Sequence, residues 1–169
     1  MEDVKQETPV KQTTVEERLR VVKEQDGDLL MRWQDKGAKV ATNIAVDTPN
    51  GRAMCTRCLA QADLKTRAAV GQVIEAVAFL AHEVEIEDKD TGEITRKMRV
   101  VLVLKDGRTM STTSKACVDT LSLIASQTRG EAWAPPILLE VREFQLGDGK
   151  SYCDMREVPR QIDPQAKKK

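Results

Sequence analysis

The sequence predicts a mainly β fold, a five-stranded barrel with one helix between its third and fourth strands, preceded by an N-terminal helical extension. From residue 71 onward the apolar residues change from a helical period to the alternation of strands. Turns containing Asp and Gly separate these alternating runs, and one helical pattern interrupts them after the third run. These three observations together predict the fold class.

The chain before residue 71 is predicted to be a tail followed by helices. Residues 1–12 are polar and lack periodicity, which is typical of a disordered tail. Residues 13–70 are expected to form the helical extension. Its helices are predicted at 14–26, 28–37 and 49–61, each starting at a capping residue, Thr14, Asp28 or Thr48.

The β domain is predicted to span residues 71–158, with a basic flexible tail at 159–169. Its strands are expected at residues 72–87, 97–105, 108–114, 137–146 and 151–158. The first run is long enough to be a hairpin or a strand with a bulge. Ser114 is a good cap for the helix that follows the third strand. Three strands, one helix and two strands is the plan of the OB-fold barrel.

Alternation within the strands predicts an outer face on which aromatic and basic residues are mixed. Its members are Phe79, Lys97, Arg99, Lys105, Arg142, Phe144, Tyr152 and Arg156. A base stacked on an aromatic ring contributes roughly 1–3 kcal/mol without sequence preference, and nearby cations follow the phosphates. The face therefore predicts single-stranded nucleic acid as ligand. A register shift of one residue would exchange the faces and place Phe79 or Phe144 in the core.

Three further residues are candidates for nucleic-acid contact at the ends of strands. Trp133 either stacks on a base or closes the end of the barrel. Lys115 lies in the first turn of a helix, where the dipole does not favour a cation, so a phosphate contact is the better explanation for it. Arg108 follows the Asp-Gly turn and is assigned to the same edge.

Composition excludes several classes of function. The formal net charge is zero, so a polyanion would have to be held by a local arrangement of charge. No apolar run approaches the ~18 residues of a membrane span, which predicts a soluble cytosolic protein without membrane partners. The single histidine, His82, is expected in an edge strand with no nucleophile to activate, so we predict no enzyme activity.

We predict no cofactor and no bound metal. Cys55 and Cys58 have the spacing of half a zinc site, but the remaining ligands would have to come from elsewhere in the fold. A zinc site is therefore the minor alternative to reduced, structural thiols.

The runs GQVIEAVAFLAHEVEIEDKDTGE, VVLVLKDGRTMSTTSKACVDTLSLIA and WAPPILLEVREFQLGDGKSY resemble the single-stranded DNA-binding proteins of tailed bacteriophages. The resemblance covers roughly residues 71–158. It implies an OB-fold protein that coats single strands during phage DNA replication or recombination in the cytoplasm of the bacterial host, without doing chemistry.

The alternative is an OB-type protein-interaction module that recruits replication or recombination proteins. The neutral charge and the few aromatic residues favour this second hypothesis. Seven basic against three acidic residues between Leu29 and Val70 also leave open a second DNA-contacting surface in the extension. The oligomeric state does not follow from the sequence.

Overall fold

The protein is described here by a computed structural model covering residues 40–128 and 131–160. The predicted tail at 1–12, the predicted helices at 14–26 and 28–37, and residues 161–169 lie outside the described residues. The described part is mainly β, with one curled half-barrel sheet and two α-helices packed on it.

In chain order the elements are β1 (Val40–Thr42), α1 (Pro49–Leu59), β2 (Leu64–Lys65), a 3-10 helix (Thr66–Ala69), β3 (Val73–Glu87), β4 (Ile94–Leu104), β5 (Thr109–Thr112), α2 (Lys115–Gln127), β6 (Ile137–Gln145) and β7 (Ser151–Glu157). The five predicted strands are confirmed as β3 to β7. The count of five is wrong for the described residues, because β1 and β2 join the same sheet from a segment predicted to be helical. Neither short strand has enough alternation to be seen in the sequence.

The sheet has the order β2-β5-β4-β3-β6-β7, with β1 added to β3. Strand β3 is the centre of this arrangement. One of its edges pairs with β4, while its other edge pairs first with β6 at residues 73–76 and then with β1 at residues 80–82. His82 is therefore half-buried between two strands, and its predicted position in an edge strand is wrong.

A bulge in β3 reverses the alternation of its side chains. Ala76 is opposite Leu104 and Ala78 is opposite Val103, so Val77 is an extra residue. Beyond it Phe79, rather than Leu80, faces the same side as Leu102. The predicted outer position of Phe79 is therefore wrong, although the sequence did allow a bulge in this run.

The two faces of the sheet bury separate apolar clusters. The inner core lies between the sheet and α2 and includes Phe79, Leu102, Met110, Leu121, Trp133, Leu139, Val141 and Met155. The outer core lies under α1 and consists of Val40, Cys55, Cys58, Leu80, Val101 and Val103. Val101 and Val103 alternate with the inward-facing residues of β4, but they are buried because α1 and β1 cover them.

Side chains and backbone from distant segments satisfy the irregular backbone at the bulge. The amide of Phe79 donates to Asn43 Oδ1 over 2.8 Å, and the carbonyl of Phe79 accepts from the Thr42 hydroxyl. The amide of Trp133 donates to the carbonyl of Val77 over 3.1 Å. Asn43 Nδ2 also donates to the carbonyl of Glu131 over 2.9 Å. The bulge is thus held by residues near β1 and by residues just before β6.

Both helices begin where the sequence predicts. At α1 the Thr48 hydroxyl accepts from the amide of Gly51 over 3.0 Å, and a Cβ on Gly51 would lie 1.8 Å from the carbonyl oxygen of Ala45. At α2 Ser114 occupies the cap position but its hydroxyl donates to the carbonyl of Cys153 instead. The apolar face of α2, which includes Val118, Leu121 and Ile124, is buried. Neither helix in the described ranges is long and apolar enough to cross a bilayer.

Replacing Asn43 by Ala should destabilise the protein by about 1–3 kcal/mol, because it leaves the buried amide of Phe79 and the carbonyl of Glu131 without their partner. Chemical denaturation followed by circular dichroism measures the change in unfolding free energy. Asn50→Ala, at an exposed position in α1, is the matched control and should change it by less than about 0.5 kcal/mol. Equal effects of the two substitutions would show that the bulge does not depend on Asn43.

Replacing Phe79 by Ala should cost about 3–5 kcal/mol, since its ring is 1% exposed and fills the inner core. Phe144→Ala is the matched control, because Phe144 is 37% exposed and should cost about 1 kcal/mol or less. The same denaturation measurement compares them. A larger loss for Phe144 than for Phe79 would contradict the faces described above.

Candidate nucleic-acid interface

The four predicted aromatic contact residues form two separate stacked pairs. Phe79 and Trp133 are both buried, with ring centroids 5.5 Å apart, and Trp133 Nε1 donates to the Thr128 hydroxyl. They therefore present no ring to a ligand, and Trp133 has the core position rather than the base-stacking one. Phe144 and Tyr152 are 37% and 38% exposed, with centroids 5.4 Å apart.

Arg142 completes this exposed pair. Its guanidinium carbon lies 5.1 Å from the centroid of the Phe144 ring, and its Nη2 donates to Asp154 Oδ2 over 2.9 Å. Because β6 and β7 align Arg142 with Asp154 and Phe144 with Tyr152, all four side chains share one face of the hairpin. We call Arg142, Phe144 and Tyr152 the aromatic platform. Arg156 follows on the same face, exposed and opposite Glu140 in the register.

The other predicted cations do not form one face with the platform. Lys105 pairs with Glu75 over 2.9 Å, and Arg108 pairs with Asp106 over 2.7 Å at the hairpin turn. Arg108 also holds the pKa of Asp106 below its ordinary value, through hydrogen bonds to that carboxylate. Arg99 is half-buried and donates to the carbonyl of Ala60 after α1. These three cations make contacts with neighbouring parts of the fold, next to the outer core and at the β4–β5 turn.

Lys97 and Lys115 line a cleft that the sequence did not predict. In the described residues the strand order ends at β2 on one side and at β7 on the other, so the curled sheet has an open seam between β7 and the side formed by β2 and β5. A cleft of about 870 Å³ lies at this seam, which we call the seam cleft. The start of β4, the start of α2 and the 3-10 helix form its other walls. Tyr152 belongs to both the seam cleft and the platform.

Basic and hydroxyl side chains dominate the lining of the seam cleft. The cations are Lys65, Arg67, Lys97 and Lys115, and the carboxylate among the lining residues is Asp119. The hydroxyls are Thr66, Ser111, Thr112, Thr113, Ser114, Ser151 and Tyr152. Cations and hydroxyls are the groups that hold phosphate oxygens in nucleic-acid complexes.

Two of these cations form ion pairs with carboxylates of the described residues and two do not. Lys115 Nζ contacts Asp119 Oδ2 at 2.5 Å along the same helix, and Arg67 Nε lies 3.5 Å from Glu143 Oε1. Lys65 and Lys97 make no ion pair with any other described residue. The seam cleft therefore has a surplus of positive charge in a protein whose formal net charge is zero.

Side-chain hydrogen bonds bridge the seam in place of strand pairing. Arg67 Nη2 donates to Ser151 Oγ over 2.9 Å at one side. The Ser114 hydroxyl and the Cys117 thiol both donate to the carbonyl of Cys153 at the other. These contacts use polar groups on the edge of β7, and α2 packs against the same strand.

Sequence reasoning missed Lys65, Arg67 and Ser151 as candidate site residues. Lys65 reaches the seam cleft because β2 pairs in parallel with β5, which places it opposite Ser111. The one signal for Lys65 and Arg67 was the basic surplus between residues 29 and 70, which pointed to a separate surface rather than to this one. A two-residue parallel strand gives no pattern from which its partner could be found.

The thiols of the proposed zinc half-site belong to the outer core. Cys55 and Cys58 are fully buried, and burial raises the pKa of Cys55 to about 11 and that of Cys58 to about 12. Within the described ranges no group of three or more His, Cys, Asp or Glu side chains is placed to hold a metal ion. Thiols that stay protonated in an apolar cluster are packing groups.

The unfolding free energy should fall as pH rises above 9.0, the ordinary pKa of a thiol, and keep falling up to about 11 to 12. Over that range the unfolded chain loses the Cys55 and Cys58 protons while the folded chain keeps them, so ionisation favours unfolding. Denaturation midpoints between pH 8 and 11 measure the slope. The double variant Cys55→Ala/Cys58→Ala should show a shallower slope, whatever its absolute stability, and an unchanged slope would contradict the burial of the thiols.

The candidate interface thus consists of the platform on β6 and β7 and the seam cleft beside it, joined at Tyr152. Any function assigned to the chain rests on these two features. Comparisons with protein-family models, with curated proteins and with solved structures find no match for this chain.

Proposed function

We propose that this protein binds single-stranded DNA without sequence preference and without catalysis. The observation that carries the proposal is the junction at Tyr152 of an exposed aromatic pair with a cleft of surplus positive charge. Stacking on a ring serves every base, and cations with hydroxyls serve the phosphates between bases. A double helix hides its base faces, so this combination favours a single strand.

The strand order supports an OB-type barrel as the scaffold. The strands β3, β4 and β5 form a meander, α2 follows, β6 returns to pair with the other edge of β3, and β7 pairs with β6. This order agrees with the plan of the OB-fold, and we propose an OB-type barrel whose last closure is open at the seam. The resemblance to single-stranded DNA-binding proteins of tailed phages agrees with this proposal and supports a role in phage DNA replication or recombination within the host cytoplasm.

The proposed binding residues differ from those that the sequence predicts. Tyr152 and Phe144 stack on bases, with Arg142 and Arg156 beside them. Lys65, Arg67, Lys97 and Lys115 contact phosphates along the seam cleft. Phe79 and Trp133 are omitted because both are buried, and Arg99, Lys105 and Arg108 are omitted because they lie outside the seam cleft and away from the β6–β7 hairpin.

A second candidate function is protein recruitment through the platform. Phe144, Leu146 and Tyr152 are large side chains that are 37%, 47% and 38% exposed near the β6–β7 turn, and such an apolar group also suits a protein partner. Pull-down of replication or recombination proteins after nuclease treatment separates the two functions. Partners that survive the nuclease support recruitment, and partners that disappear support a DNA bridge.

Fluorescence anisotropy with labelled oligo-dT at low salt tests the DNA proposal. The logarithm of the binding constant should fall linearly with the logarithm of the salt concentration, and the slope should be about −0.7 for each phosphate contacted. Tyr152→Ala should reduce the affinity about 5- to 150-fold, the equivalent of one lost base stack of ~1–3 kcal/mol. Lys97→Ala should weaken binding and lower the salt slope by about 0.7, since it removes one phosphate contact.

Lys89→Ala is the matched control for Lys97, because Lys89 is exposed in the β3–β4 turn and outside the seam cleft. It should leave both the affinity and the salt slope unchanged. Absence of binding at micromolar protein and low salt, or binding that ignores salt, would refute the proposal. Equal losses for Lys89 and Lys97 would refute the location.

A further inference from the structure

Arg67 lies across the seam and is held by the opposite side. Its Nη2 donates to Ser151 Oγ over 2.9 Å, and its Nε lies 3.5 Å from Glu143 Oε1. Ser151 Oγ donates in turn to Glu143 Oε1 over 2.6 Å. We call Arg67, Glu143 and Ser151 the clasp. It joins the 3-10 helix to the β6–β7 hairpin through side chains, next to the backbone hydrogen bonds that Gly71 and Gln72 make with Val141.

The partners of Arg67 offer it the same chemistry as a phosphate group. A carboxylate oxygen and a hydroxyl oxygen face the donor fork of the guanidinium, as two phosphate oxygens would. The Arg67 side chain is 65% exposed and that of Glu143 is 30% exposed, so the pair is open to solvent. An ion pair in that setting contributes little to folding stability and is easily exchanged for another anion.

The clasp differs from the other ion pair in the cleft. Lys115 and Asp119 are four residues apart on α2, so exchanging that pair leaves the walls of the cleft where they are. Arg67 is the cation that reaches from one wall of the seam to a carboxylate on the other. A change in the partner of Arg67 therefore alters both the charge available in the seam cleft and the contact between the walls of the cleft.

We propose that Arg67 exchanges partners when a strand binds, leaving Glu143 and Ser151 for a phosphate of the DNA backbone. Glu143 is then an internal competitor that lowers the affinity of the protein for DNA. This inference rests on the proposed function, and it adds a residue that limits the affinity for DNA. The negative charge of Glu143 occupies Arg67 in the free protein and must be displaced in the complex, which keeps binding weak and reversible.

Glu143→Gln tests the proposal, because the amide keeps an oxygen for the Ser151 hydroxyl and removes the charge. The variant should bind labelled oligo-dT about 3- to 10-fold more tightly than the wild type at low salt, and the gain should shrink as salt rises. Glu87→Gln is the matched control, since Glu87 is exposed at the end of β3, outside the seam cleft and away from the platform. Its affinity should change less than about 2-fold.

A double-mutant cycle separates partner exchange from simple charge repulsion. In an Arg67→Ala background the gain from Glu143→Gln should be at most about half as large on a logarithmic scale, because the competition for Arg67 is gone. An equal gain in both backgrounds would overturn the exchange and leave Glu143 acting through its charge alone. A loss of affinity in Glu143→Gln would also overturn it, by making Glu143 a residue that positions Arg67 for DNA.

The outcomes distinguish this inference from the proposed function. Wild-type binding that is salt-dependent but shows no coupling between Arg67 and Glu143 contradicts the clasp alone. Failure of both the wild type and Glu143→Gln to bind oligo-dT contradicts the function and the clasp together. Thermal unfolding of every variant, followed by circular dichroism, confirms that the compared proteins are folded.

Discussion

The architecture depends on the bulge at Val77 in β3. This one extra residue lets a 15-residue strand face the inner core on both sides of the irregularity, first through Ile74 and Ala76 and then through Phe79. The backbone groups around it are satisfied by the segment after β1 and by the segment before β6. A bulge without those partners would leave buried amides unpaired, at a cost that a small domain cannot easily offset. The bulge therefore ties three distant parts of the chain together.

The same bulge decides which aromatic rings can meet a ligand. It turns Phe79 into the inner core, where the ring stacks on Trp133, and leaves Phe144 and Tyr152 as the exposed pair. The exposed rings lie on the hairpin whose outer edge borders the seam. In the described residues β5 pairs with β4 and β2 and not with β7, so the seam is open beside the exposed rings and the cleft lies there. The position of the aromatic platform next to the cleft thus depends on how the strands pair.

Charge is distributed locally in this protein rather than as a net field. Many cations outside the cleft are paired with nearby carboxylates, as Lys105 is with Glu75 and Arg108 with Asp106. The seam cleft has two lysines, Lys65 and Lys97, with no ion pair among the described residues, and one arginine shared with Glu143. A surface of this kind attracts a polyanion only at short range. The weak and reversible binding that we propose agrees with such an arrangement, and the proposed partner exchange of Arg67 would act in the same direction.

The sequence by itself determined the five strands from β3 to β7, the Asp-Gly turn, the starts of both helices and the alternation in β6 and β7. These depend on neighbours in the chain, through periodicity, turn chemistry and capping. It also indicated Phe144, Tyr152 and Arg142 correctly as residues on one exposed face, because β6 and β7 have no bulge. The tertiary structure alone decided that Phe79 is buried, that β1 and β2 join the sheet, and that Lys65 and Arg67 reach the seam beside Ser151. Each of these depends on a contact between residues some 35 or more positions apart, or on a backbone offset of one residue, and no local pattern encodes either.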